Sequence, residues 1–596
     1  MNHSTTKLGG PVTRLLATIF AAGGLLLCGA ADAAVHGITG GTSNPTFNLS
    51  ASASTISQPD GATIYAWGYG CTSAPAGFLP SSGNCPLMQM PGPTMIVTEG
   101  DVVTVNLTNN LPVAAGNTSI VFPGFNVSSN LPSSTSNVAY TIASPYTLSQ
   151  ATANTIVVDN GVVFDTAAIS PGTALVAVPG SPGTGQYSFV NGVYAFSSAD
   201  SGQPVLINST ATSTSGVVGL LTREAASGST VTYTFAASKP GTYAYYSGTQ
   251  SDLQIEMGLF GAIVVLPNSA SASAANCVKT TPYTDAVYSL AKSAYGNPNS
   301  CYDREYLFQF SEISSTIHDQ VRAQVDACGT APTTPCPQIL ANMEPYRPNY
   351  YLINGRSMPD DMDISYSPAY PNQPYNGNPH MHPGELVLMR VIGQGHWQHP
   401  FHFHGNHARV LARDANMLLS QTPGSTNLAG PLLFTIATVS GQTVDAIFTW
   451  TGQGLNWDAY GLDPSGHTCN NNPAFDVNGQ NIFTNPASNY NPTSAGFDLV
   501  THEYCLDHGK PIPVTPPDPS IVVNGQWYGG TPYIGLQSAN TTPEAPGTLN
   551  QNPQAGYAYM WHSHNEREIT TNDVFPGGMM MMLLIDPAGW VIDETQ

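Results

Sequence analysis

Five of the chain's fifteen histidines fall in two compact strings, HPFHFHG at 399–405 and HSH at 562–564. Neutral imidazole is a preferred protein ligand for copper and zinc. In an extended strand, residues i and i+2 share one face roughly 6 to 7 Å apart. His402 and His404 therefore point one way together, as do His562 and His564. Two such strands side by side would aim four imidazoles into one space, a site for one or two transition-metal ions held by nitrogen at about 2 Å. Residues 37–317 contain no histidine, which says where such an ion cannot sit. His399 precedes Pro400, whose fixed backbone helps turn the chain into the strand, so spacing alone points its ring elsewhere. A lone histidine is usually satisfied by polar neighbours without binding anything, whereas five in two paired strings favour ligation.

The elements that must carry these strings read as strands. PGPTMIVTEGDVVTVNLTNNLP (91–112) alternates apolar residues through Ile96, Val103, Val105 and Leu107 around Gly100-Asp101, which predicts two strands and a turn. VTYTFAA (231–237), GTYAYYSG (241–248) and GLFGAIVVLP (258–267) read as further strands of the same sheet system. Residues 126–228 read as an insertion of short strands and loops, and NSASASAAN (268–276) as a small polar linker. Beyond it, 304–313, 349–355, 384–393 and 443–450 repeat the strand pattern, a second insertion spans about 452–555, and only Ile317–Ala327 has helical spacing. Both halves read as antiparallel β-sandwiches with Greek-key connections, one over 34–268 and one over 277–596.

Composition narrows the function classes. The chain carries 15 Lys plus Arg against 37 Asp plus Glu, a net charge of -22, which disfavours phosphate backbones and anionic lipid as partners. Lys7 and Arg14, the apolar run Leu15–Leu27 and Ala31-Asp32-Ala33 form the three parts of a secretory signal over 1–33, so a periplasmic or extracellular location is expected. The apolar run is short for a bilayer span. Without Cys28, eight cysteines remain, and pairing by sequence neighbours gives 71 with 85, 277 with 301, 328 with 336 and 469 with 505.

HPFHFHG resembles the third copper motif of multicopper oxidases, and 91–112 resembles the start of their first cupredoxin domain. GTYAYYSG with MGLFGAIVV, and WHSH with GGMMMMLLID, resemble the surroundings of the second and fourth motifs. The resemblance implies an all-β protein of two cupredoxin-like Greek-key β-sandwich domains with long insertions. It makes His402, His404, His562 and His564 copper ligands, with His399 as the remaining type 1 position, for one or two copper ions.

Departures from the family pattern are equally specific. Val121 and Pro123 stand where the first motif has histidines, and Tyr246 and Gly248 where the second has them. Ser563 replaces the cysteine that makes the blue type 1 copper, and a hydroxyl is a poor substitute for a soft thiolate. Glu568 aligns with that motif's later histidine; Glu566 and Glu568 read first as solvated surface acids, with oxygen ligands or acceptors that orient imidazoles as the alternative.

Other features have plainer readings. His380 and His382, His396 and His407 read as loop histidines, Cys505 near His508 as a disulfide partner, and Met579–Met582, Met88, Met90 and Met95 as packing. The expectation is an exported copper oxidoreductase taking electrons from a small-molecule or metal-ion reductant, with oxygen as acceptor. The alternative is a periplasmic copper-binding or sequestration protein without turnover. Two-domain relatives form trimers; nothing here requires one, and oligomeric state stays open.

Overall fold

The computed structural model describes residues 35–41, 44–79, 83–129, 217–277, 292–329, 335–422, 425, 427–452, 557–586 and 592, with the backbone of short strands at 138–141, 155–157, 163–165, 174–177, 186–188, 204–207 and 530–531. The proposed signal, the Cys469–Cys505 pair and most of the second insertion lie outside the described residues.

The first sandwich is built from β1 (Thr46–Ser57), β2 (Thr63–Cys71), β3 (Met95–Thr98), β4 (Val102–Asn110), β5 (Thr230–Ala236), β6 (Gly241–Tyr246), the one-turn helix α1 (Ser251–Glu256) and β7 (Phe260–Leu266). One sheet runs β2-β1-β4-β5, and the facing one runs β6-β7-β3. Period-two alternation decides which face is buried: Val103, Val105 and Leu107 of β4 and Val231, Tyr233 and Phe235 of β5 all enter the core. Gly100, at φ +95°, turns the chain out of β3 in one sheet and into β4 in the other. Between β4 and β5, the described residues of 126–228 include short strands.

A small helix, α2 (Ser269–Ala275), replaces the expected linker. Asn268 caps it, its side chain accepting from the Ala270 and Ser271 N–H groups, so a stretch that reads as small and polar has its start signal and good helix formers.

The second sandwich comprises β8 (Arg304–Ile313), α3 (Ser315–Cys328), β9 (Tyr350–Ile353), β10 (Leu386–Gly393), β11 (His399–Phe403), β12 (Ala408–Arg413), β13 (Thr435–Thr438), β14 (Thr443–Thr449), β15 (Tyr557–Ser563) and β16 (Met580–Ile585). Its sheets are β9-β8-β10-β14-β12 and β16-β15-β11-β13, each with short added strands. Phe308, Phe310, Phe401, Phe403, Phe448, Trp450 and Trp561 fill the space between them.

The antiparallel expectation needs correction. β1 with β4, β3 with β7 and β8 with β10 are parallel, because strands that cross to the other sheet before returning come back in the same direction. The sandwiches are also fused: Ala262 and Val264 of β7 pack on Leu307 of β8 and Ile392 of β10. At the same seam the Thr242 hydroxyl donates to Asp445 at 2.7 Å. Buried Arg390 reaches Thr242 at 3.0 Å and Glu305 at 2.7 Å. α3 turns Ile317 and Val321 into the first sandwich's core. Disulfides join Cys71–Cys85, Cys277–Cys301 and Cys328–Cys336, the neighbour pairing expected. No helix among the described residues is long and apolar enough to cross a membrane.

Candidate metal centre

β11 and β15 are antiparallel neighbours, with Phe401 opposite Ser563, His402 opposite His562 and Phe403 opposite Trp561. Phe401, Phe403 and Trp561 point into the core at 0 to 1% exposure. Alternation then sends His402 and His562 out through the other face, and a one-residue slip would bury the imidazoles among aromatics. His404 follows the end of β11, its N–H donating to the Met560 carbonyl at 3.2 Å. Gly405, at φ +104° with the Tyr559 ring against it, turns the chain away.

Three imidazoles meet there. Donor atoms of His402, His404 and His562 all lie within 4.8 Å of one another, and each residue is 5 to 7% exposed. Nε2 of His404 and Nε2 of His562 are 3.3 Å apart. Two nitrogens each about 2 Å from one tetrahedral ion are separated by roughly that distance. Outer ring nitrogens are already engaged: His402 Nδ1 faces the Thr435 hydroxyl at 2.9 Å, and His562 Nδ1 donates to the Ser563 carbonyl at 2.6 Å. The carbonyl fixes the His562 tautomer and leaves its Nε2 for a metal, while the Thr435 hydroxyl orients the His402 ring. Burial, with His562 and His564 nearby, lowers the His402 pKa to about 4, and burial lowers that of His562 as well. His402 and His562 are therefore held neutral, and an all-imidazole donor set fits copper or zinc.

His564 stands at the rim. Its ring is 4.8 Å from that of His402, but the side chain is half exposed and Nδ1 faces Glu566 at 3.2 Å. Glu566 is a solvated residue paired with this histidine.

His399 is placed apart from the other four. Both ring nitrogens are taken, Nε2 by Glu312 at 2.9 Å and Nδ1 by Glu568 at 3.0 Å, and all three side chains are fully buried. Burial alone would lower its pKa, but hydrogen bonds and charge from the two carboxylates raise it to about 9. Burial pushes Glu312 up, yet its bond to His399 and the His396 and Trp397 N–H groups leave it below the usual range. Glu568 is thus neither solvated nor among the imidazole trio; it also accepts from the Ser563 hydroxyl and from Asn565 Nδ2.

The remaining sequence candidates lie elsewhere. His380 pairs with Asp586 at 2.7 Å, and His396 packs on the Tyr346 ring. His407 packs against Phe434, whose ring also meets His402 edge-on. Met88, Met90, Met95, Met579, Met580 and Met581 are buried, as packing residues should be. Val121 and Tyr246, the positions at which the resemblance leads one to expect histidines, exchange backbone hydrogen bonds at 2.8 and 3.3 Å. His508 lies outside the described residues.

Sequence reading missed Thr435, Phe434 and Glu312. Thr435 has no marker beyond lying in a strand, since only the register of β13 on β11 sets it opposite His402.

Comparison with known proteins agrees with the fold. Residues 88–140 with 206–270, and residues 342–455, match two family models, each described as multicopper oxidase. Among solved structures, the chain is similar to a multicopper oxidase called mgLAC, at 14% identity over 92% of this chain and 87% of that one, TM-score 0.38. It is similar to a blue copper oxidase from Nitrosomonas europaea at 13% identity, over 90% and 85%, TM-score 0.38. A copper nitrite reductase from Nitrosomonas europaea aligns at 13% identity, over 68% and 84%, TM-score 0.32. No curated protein matches. The two stretches that match multicopper oxidase models thus fall one in each cupredoxin-like sandwich.

Proposed function

We propose that this is an exported copper oxidoreductase whose single described centre is formed by His402, His404 and His562, with His564 at its rim, and holds one or two copper ions. The observation that carries this is the trio itself, three buried imidazoles whose donor atoms lie within 4.8 Å of one another, two of them at a one-ion spacing of 3.3 Å. Copper bound there supplies one-electron chemistry, with a small organic molecule or a metal ion as reductant and oxygen as acceptor. The chain's own part is to hold the rings. Thr435 and the Ser563 carbonyl fix two of them, and the core aromatics fix the strands beneath. With Ser563 where the family has its cysteine, no thiolate relay leads in among the described residues, so a donor reaches the centre directly past half-exposed His564 and Phe434.

One observation favours a second reading, copper binding without turnover. Residues 37–317 bring no histidine to complete a larger cluster. Copper per chain after loading and dialysis, measured beside a His402→Ala/His562→Ala double variant, tests the site. One or two ions, lost in the variant, support it; equal retention in both sinks it. Oxygen uptake by the loaded chain with phenolic, cuprous or manganous donors then separates turnover from sequestration.

A further inference from the structure

Three residues before the first ligand candidate, His399 sits in a fully buried cage of acceptors. From β8, Glu312 meets Nε2 at 2.9 Å; beyond β15, Glu568 meets Nδ1 at 3.0 Å. Every other contact to these carboxylates comes from a donor. Glu312 Oε1 receives the His396 and Trp397 N–H groups at 2.6 and 2.8 Å and the Tyr346 hydroxyl at 3.2 Å. Glu568 receives the Ser563 hydroxyl and, at 2.8 Å, Asn565 Nδ2. A carboxylate whose lone pairs all face donors is ionised, and an imidazole between two such acceptors carries both its protons. Farther out, Tyr346 links Glu312 to Glu256, which receives the Ser314 N–H at 2.7 Å and lies 4.0 Å from His396. The Phe310 ring covers His399 from β8, and the Thr438 hydroxyl reaches its carbonyl from β13.

This cage spans the strands that bear the trio. His399 opens β11, which carries His402; Glu568 holds the turn that follows His562-Ser563-His564 through its Ser563 and Asn565 contacts. Cutting the cage leaves two buried carboxylates repelling each other at the strand ends. We propose that His399 is a protonated strut and not a ligand. Its imidazolium ties Glu312 to Glu568 and so fixes the relative position of the strand ends presenting His402 and His562, an assignment that rests on the copper reading above. It is a positioning residue: no contact joins it to the trio directly, and its action passes through Glu568 and the strand.

The test uses the full chain. In the unmodified, copper-free protein labelled at histidine nitrogen, NMR near pH 7.5 should show both His399 nitrogens protonated; one bare nitrogen overturns the strut. Copper(II) is then bound to the unmodified chain and to His399→Gln and His399→Lys variants. Glutamine removes the charge and should weaken copper binding on the order of tenfold and shift the copper hyperfine signature. Lysine restores charge and donors and should bring both back toward the unmodified values, with the ion count the same in all three. An ion lost with either variant makes His399 a ligand and ends the proposal, as does a glutamine variant with unchanged affinity and spectrum. If the unmodified chain holds no copper, the copper reading falls, while the NMR result still decides whether the strut exists.

Discussion

Strand β11 holds two histidine environments three residues apart, and they are opposites. His402 faces other imidazoles and a hydroxyl, and burial with like neighbours drives its pKa down to about 4. His399 is more deeply buried yet faces two carboxylates, and is raised to about 9. Burial acts the same way on both rings, so the partners decide the outcome. One ring is kept neutral and can ligate; the other is kept cationic and cannot.

The largest expected effect breaks the charged side of this comparison. His399→Ala strands two buried carboxylates and should cost about 3 to 5 kcal/mol of folding stability. His402→Ala removes a neutral, buried ring hydrogen-bonded to Thr435 and leaves no buried charge behind, so it should cost less, under about 1.5 kcal/mol. Urea unfolding of the two copper-free variants checks this, and equal losses would mean the cage carries no special charge.

The pH dependence of stability is next in size. His399's folded pKa lies above its ordinary 6.5, so its contribution is full below pH 6.5 and is lost as pH rises through about 9. The loss is on the order of 3 kcal/mol across that window. Glu256 adds to the same slope earlier: burial pushes it up to about 8, so folding grows less favourable from pH 4.5 to about 8 as the unfolded carboxyl ionises alone. Melting temperature should therefore fall between pH 6.5 and 9, and His399→Lys should flatten that segment. Glu256→Gln should flatten the earlier segment. A wild-type curve that is level from pH 6.5 to 9 would contradict both assignments.

How much of this was legible depends on sequence distance. The pairing of His402 with His562 follows from two HxH strings and strand periodicity, and most strands were visible in their alternation. Parallel register was not, because whether β1 lies alongside β4 depends on the crossing between sheets, which no local pattern encodes. Helix α2 hid in a stretch whose composition suits a linker as well as a capped turn. Glu312 carries no mark of its role: it ends an ordinary apolar strand 87 residues before His399. Glu568 aligns with a motif histidine but reads more readily as a solvated acid than as a ligand or acceptor until its burial is known.

The smallest expected effect sharpens the comparison from the other direction. Ser563→Cys puts a thiol where the sequence resemblance places the cysteine of multicopper oxidases, and if sequence position alone made the blue site, copper loading would produce intense visible absorption. The cage argues otherwise. Forming that site would need His399 to give up a proton held between two carboxylates, and Glu568 to supply an imidazole it does not have. The thiol would also replace a hydroxyl that donates to Glu568 with a weaker donor, next to a negative charge that disfavours the thiolate. Copper-loaded Ser563→Cys should stay without strong visible colour and keep the wild-type ion count. Blue absorption in this single variant would show that the strut yields to a metal, and that the two environments on β11 differ by one side chain and not by the whole cage.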